Sequence, residues 1–254
     1  MPINYARRLT DRRRSKHSNR QLGLCLAFVA GAANAGGFLA VQQYTSHMTG
    51  IVSSMADNLA LGATDLALGG LGALVSFVVG AMCSTIMINF SRRRRLHSQY
   101  ALPLALEAAL LLCFGVLGAR LMDVQGLFVP LTVMLLCFIM GLQNAIVTKL
   151  SNAEVRTTHI TGMVTDIGIE LGKLLYLNRQ PRSGHAQVRA DRERLRVNAL
   201  LVCSFFLGGI SGALGFKHFG FLSTVPLAAL LLVLALVPMW DDLHLGWALW
   251  RKRH

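Results

Sequence analysis

Six long stretches of this chain carry almost no charge, and they decide what it can fold into. Leu22–Val41 runs for 20 residues without Asp, Glu, Lys or Arg, and Leu66–Phe90 for 25. Tyr100–Ala119 holds one acid, Glu107, in 20 residues, while Gln125–Thr148, Val197–Phe216 and Phe219–Trp240 hold none. A helix rises about 1.5 Å per residue, so roughly 20 residues cross a hydrocarbon core about 30 Å thick. A soluble bundle would have to cover six such helices with polar surface, and only 15% of the 254 residues are charged. The expected fold is an all-α integral membrane protein of about six transmembrane helices. Leu22–Val41 is longer than a signal-peptide core and five similar runs follow it, so it reads as a span. Cys25, Cys83, Cys113, Cys137 and Cys203 all fall inside apolar runs, with no CxxC and no His at ligand spacing. They read as small buried hydrophobes, and neither a disulfide framework nor a metal site is expected.

The net charge of +13 raises nucleic-acid binding as a rival explanation. The position of the charges answers it. With the N-terminus in the cytoplasm, the cytoplasmic pieces are 1–21, 91–99, 149–196 and 241–254. They hold 7, 4, 9 and 3 basic residues, 23 of the chain's 25. Only Arg120 and Lys217 fall outside, which is the positive-inside bias of a multi-pass membrane protein with both termini cytoplasmic. Trp240, Trp247 and Trp250 cluster after the last span, as an interfacial anchor would. The expected partners are the lipid bilayer and no nucleic acid.

The chain also resembles itself. GAANA at 31–35 followed by SHMTGIV at 46–52 returns as GLQNA at 141–145 followed by THITGMV at 158–164. Gly31, Asn34 and Ala35 match residues 110 positions later, and Ser46, His47, Thr49, Gly50 and Val52 match residues 112 later. Weaker echoes link Ser76, Phe77 and Gly80 to Ser204, Phe205 and Gly208, and Leu102–Ala105 to Val225–Ala228. Each copy holds three spans, an odd number, so the second enters the membrane from the opposite side. The expected organisation is a basic tail (1–20), a first repeat (21–122), a second repeat (123–240) with an Arg-rich cytoplasmic loop (178–197), and a tail (241–254). Inverted three-plus-three repeats are a transporter architecture with the site near the bilayer midplane.

Each copy has an extra element after its first span. Small residues recur there at helical spacing, Thr49, Ser53, Ala56 and Ala60 in one copy and Thr161, Thr165, Gly168 and Gly172 in the other. Such a stripe lets helix backbones approach closely, so a short re-entrant or partly inserted helix is expected, packed along the stripe. An amphipathic helix lying on the surface is the rival, given Asp57, Asp166, Glu170 and Lys173.

The repeated [Ser/Thr]-His-x-Thr-Gly motif stands where this helix begins. A helix N-terminus presents unpaired N–H groups and partial positive charge, which suits a polar or anionic ligand. Asn34, His47, Thr49, Gly50, Asn144, His159, Thr161 and Gly162 are the expected lining of a solute site. The histidines can donate, accept or change charge near neutral pH, and the asparagines would seek partners across helices. The plainer roles are helix bracing for Asn34 and Asn144 and capping for His47 and His159. Glu107, a carboxylate inside a span, and Asp166 are candidates for proton coupling. Glu107 has no acidic counterpart, since Leu230 stands in its place. No HExxH, GxSxG, P-loop or dinucleotide signature is present, so no enzyme activity and no cofactor are expected.

At GAANAGGFLA…SHMTG and MGLQNA…TTHITG the sequence resembles the YoaK family (domain of unknown function 1275), bacterial polytopic membrane proteins. The resemblance covers about residues 20–240 and implies a multi-pass protein of the bacterial cytoplasmic membrane. It supplies no substrate. The family pattern carries Asp where Asn34 stands and Asn where Ile51 stands, so any acid-dependent coupling there would be lost or altered in this member.

The leading functional expectation is a small-solute transporter or exporter with a midplane polar site. A membrane-embedded binding or scaffold protein that moves no solute comes second, and an intramembrane enzyme third. A homo-oligomer is compatible with each.

Overall fold

The computed structural model describes residues 16–94, 99–121, 125–150, 160–176 and 188–236. Every regular element among them is helical. In chain order these are α1 (Lys16–Val41), α2 (Met48–Ala60), α3 (Thr64–Arg93), α4 (Ala101–Leu121), α5 (Gln125–Leu150), α6 (Ile160–Leu175) and α7 (Arg192–Phe219). A 3₁₀ turn at Gly220–Ser223 follows, and a further helix, α8, is described over 224–236.

Among the described residues, five helical stretches are long and apolar enough to cross a bilayer: Ser18–Val41, Thr64–Arg93, Ala101–Ala119, Val129–Lys149 and Arg192–Leu236. The last is 45 residues long, about twice what one crossing needs. Gly220, with φ +57°, breaks it between α7 and α8. Ser223 comes back against Gly215 there. An aromatic cluster of Phe114, Phe216 and Phe221, with centroids 5.5 to 6.2 Å apart, ties that turn to α4. The helices α2 and α6, at 13 and 16 residues, are too short for a full crossing.

The dominant interfaces join segments far apart in sequence, α1 on α7 and α3 on α5. Glycines make both possible. A Cβ on Gly31 would collide with the Phe205 carbonyl oxygen, and one on Gly208 with the Phe28 carbonyl oxygen. In the other pair, Gly141 faces the Phe77 carbonyl oxygen and Gly80 the Phe138 carbonyl oxygen in the same way. Backbones this close gain dispersion contacts that larger side chains would prevent, the packing that drives helix association in lipid. Along α1–α7, Leu24 meets Ser204, Phe28 meets Gly208 and Gly36 meets Phe216, so these helices run parallel. Along α3–α5, Gly72 meets Met134 and Gly80 meets Leu142, again parallel. Between α1 and α5, the Gln143 amide donates to the Leu26 carbonyl (3.1 Å) and Gly37 meets Leu136, so that pair is antiparallel.

The short helices lie along their successors. Met55 of α2 packs into the space left by Gly70 of α3. Met163 of α6 is buried with Ala27 and Leu201. The small-residue stripes behave otherwise than expected. Thr49, Ser53, Ala56 and Ala60 are exposed, as are Thr161, Thr165, Gly168 and Gly172, and a Cβ on Gly168 or Gly172 would meet nothing within 4 Å. The inward faces are set by larger groups, Ile51 and Met55 in α2 and Met163 and Glu170 in α6.

Charges pin α6 to the start of α7. Asp191 caps α7, its carboxylate accepting from the Glu193 and Arg194 N–H groups (3.0 Å each). Arg194 pairs with Asp166 (3.0 Å), and Arg20 of α1 pairs with Glu193. The buried Glu170 accepts from Lys173 and from the Asp191 N–H, both at 2.7 Å. The Lys173 hydrogen bond, followed by that of Asp191, holds the Glu170 carboxyl below the usual carboxylate range. A depressed folded-state value stabilises above the unfolded pKa, and that contribution disappears as pH falls through the lowered value. Amide protection over 160–176, corrected for the pH dependence of the intrinsic exchange rate, is expected to fall on acidification in the wild type. Glu170→Gln should flatten that pH response, and an unchanged response in the variant would remove Glu170 from the linkage.

Candidate functional site

After Val41 the chain turns back along α1. Gln42 adopts φ +53°, a left-handed conformation uncommon for a residue with a side chain, and the chain doubles back. Tyr44 stacks on Phe38, with ring centroids 4.5 Å apart and planes 17° apart. Two residues on, the Ser46 hydroxyl donates to the Asn34 side-chain oxygen (2.9 Å). Asn34 lies seven residues before the end of α1, so Ser46 has retraced about 10 Å of helix. The Cys137 thiol, in the middle of the Val129–Lys149 span, donates to the Thr45 carbonyl at 3.5 Å. The N-terminus of α2 therefore starts at the depth of the centre of α5, beside Asn34.

His47 is the residue before α2, with φ −96° and ψ 75° and no side-chain capping bond, and it is exposed. A Cβ on Gly50 would press on its imidazole, 3.0 Å from Nδ1. Gly50 thus leaves room for the ring over the first turn, and Thr49 is exposed on that turn. The first-turn N–H groups of a helix lack intrahelical acceptors, so this end offers donors and positive potential. Thr45 is fully buried and its hydroxyl has no hydrogen-bond partner among the described residues. The Gln143 side-chain oxygen is in the same state.

The second copy is described in part. Thr161 and Gly162 are exposed in the first turn of α6, and Asn144 is half-buried on α5. His159 lies outside the described residues. Asn34 is three residues past Gly31 and Asn144 three past Gly141, on antiparallel helices that bring those glycines to similar depth. The two amides therefore sit on opposite sides of that level, each roughly 4.5 Å along its helix.

The structure assigns Asp166 and Glu107 different surroundings. Asp166 is held by Arg194 and by the Asn198 amide (3.5 Å), an anchoring arrangement. Glu107 is fully buried on α4, and neither of its oxygens has a hydrogen-bond partner among the described residues. Sequence reasoning missed Thr45, Ser46, Cys137 and Gln143 as neighbours of the site. Ser46 and Gln143 lay inside the repeated motifs, and that was the available signal. Among the described residues no three His, Cys, Asp or Glu side chains are close enough to hold a metal ion.

Comparison with known proteins adds a family but no activity. A family model described as "Protein of unknown function (DUF1275)" matches residues 22–237. The chain is 26% identical over 163 residues to a Bacillus subtilis (strain 168) protein named UPF0700 transmembrane protein YoaK. That match covers 63% of this chain and 69% of the relative. No solved structure matches the chain.

Proposed function

The chain belongs to DUF1275, a membrane-protein family of unknown function, and we propose that this member is a small-solute transporter or exporter built from two inverted three-span repeats. The glycine contacts support the repeat. Gly31 and Phe28 match Gly141 and Phe138 at an offset of 110, and Phe77 and Gly80 match Phe205 and Gly208 at an offset of 128. Exchanging the halves therefore turns the α1–α7 contacts into the α3–α5 contacts. The matched first spans, α1 and α5, run antiparallel, as inversion requires. The break at Gly220 supports counting Arg192–Leu236 as the fifth and sixth crossings. Both termini are assigned to the cytoplasm, because 23 of 25 basic residues then lie inside.

The observation that carries transport is the doubling back of residues 42–47 along α1. It starts a helix at mid-membrane depth beside a buried amide, where discontinuous helices of transporters receive polar substrates. The proposed lining is Asn34, His47, Thr49 and Gly50 from one half and Asn144, His159, Thr161 and Gly162 from the other. The favoured solute is small and polar or anionic, since helix N-termini attract negative charge.

Flux of small anions and polar solutes in proteoliposomes tests this. Asn34→Leu and His47→Ala are each expected to lower flux about tenfold, the effect of losing ~1.4 kcal/mol of interaction, with the protein still folded. Wild-type flux no higher than in empty vesicles for every solute would overturn the reading. It would favour a membrane-embedded binding or scaffold protein. The exposed small-residue faces of α2 and α6 suit that second reading, because they admit another helix closely.

A further inference from the structure

Glu107 is the one acid within the Ala101–Ala119 span. It lies on the inward face of α4 with Tyr100, Leu104, Leu111 and Phe114, all buried at spacings of three or four residues. Both carboxyl oxygens are shut away without a hydrogen-bond partner among the described residues. The elements packed on α4 are α5, α3, the Gly220–Ser223 turn and α8, whose Thr224 lies against Gly115 and which carries no charged or titratable group. Their described charged and titratable groups are Lys149 and Cys137 on α5 and Asp65, Cys83, Arg92 and Arg93 on α3; α4 itself adds Cys113. Arg92 donates to Gln99 (2.8 Å), Cys137 to the Thr45 carbonyl and Cys83 to the Met87 sulfur (3.9 Å). None of these groups pairs with Glu107.

Burying an ionised carboxylate without donor or counter-ion is costly, whereas burying the neutral acid costs far less. Packing alone does not call for an acid, because Leu230 fills the matching position of the second half. On α3, the Ser84 and Ser91 hydroxyls are likewise buried without partners among the described residues. Ser91 stands two residues from the end of α3 and Ser84 nine, while Glu107 is six residues into α4. By helix rise these depths are roughly 3, 13 and 9 Å from the end that joins the two helices, so the acid falls between the two hydroxyls.

We propose that Glu107 is a proton-binding site that couples solute movement to protons, an inference that rests on the transport reading for its coupling but not for its proton. Its carboxyl holds a proton as O–H while buried. It releases that proton to water, becoming carboxylate, when the conformational cycle admits water along the α3–α4 face. No other bond forms or breaks.

Infrared spectroscopy of the purified full chain reads the proton directly. A carbonyl stretch of a protonated carboxyl is expected at neutral pH, absent in Glu107→Gln. In proteoliposomes, solute flux should carry protons in the wild type, and in Glu107→Gln flux should lose its pH dependence. Absence of the protonated band from the wild type at neutral pH would overturn the proposal, and that measurement needs no variant. Glu107→Gln flux with an unchanged pH profile would overturn the coupling. A wild type with the band but no flux of any solute would leave the proton site standing and sink the transport reading.

Discussion

Gly141→Ala is expected to cost the protein a large part of its stability, although it adds a single methyl group. The atom in the way is the backbone carbonyl oxygen of Phe77, which no rotamer change can move. Accommodating the methyl means parting α3 from α5 along an interface built on that approach. Overpacking of this kind typically costs about 1–3 kcal/mol and occasionally more, and the better helix propensity of alanine returns at most about 1 kcal/mol. Gly208→Ala attacks the other large interface, through the Phe28 carbonyl oxygen, and should add to the first in the double variant. Gly168→Leu, a far larger change, should not lower stability and can raise it by up to about 1 kcal/mol through helix propensity, because that face of α6 is open. Thermal unfolding in detergent, followed by retention of the monodisperse species, measures all four proteins. Wild-type stability in Gly141→Ala would mean the backbones are not in contact. Loss of stability in Gly168→Leu would mean that the exposed face of α6 is covered.

An all-or-none result is expected from single cysteines placed in a background whose five native cysteines are replaced. In intact cells, an impermeant thiol reagent should label position 122 and leave positions 95 and 185 unlabelled until the membrane is opened. Two observations lead there. The basic residues crowd the proposed inner segments. Strict alternation of crossings makes α1 parallel to α7 and α3 parallel to α5, and the contacts in both pairs have that register. Labelling of 95 and 185 with protection of 122 would invert the protein and move the α2 end of the site to the other face.

The spans were legible because bilayer thickness fixes how many apolar residues a crossing needs, and no tertiary detail enters that argument. The starts of α2 and α6 were legible too, within one residue of His47 and His159, because the repeated Thr-Gly pair marks them. The packed faces of those helices were not. In water an apolar stripe announces the interior, but in lipid both faces are apolar, and Thr49, Ser53 and Ala56 gave no sign that Ile51 and Met55 would be the side facing α3. The reversal at Gln42 was equally hidden, since glutamine is not a residue that advertises a left-handed turn. The Ser-Phe-x-x-Gly echo was visible as a repeat, yet its part in joining opposite halves depends on which helix faces which, and no single sequence states that.

The pairing of α1 with α7 sets a timetable for biosynthesis. Leu24 and its partner Ser204 are 180 residues apart, and chains elongate at roughly 5–20 residues per second. Helix α1 thus spends on the order of ten to forty seconds in the bilayer before its principal neighbour is made. During that interval the face of α1 that carries Gly31 lacks the α7 backbone it packs against. A ribosome stalled anywhere before Arg192 would hold a chain whose first helix still has its glycine face bare of α7.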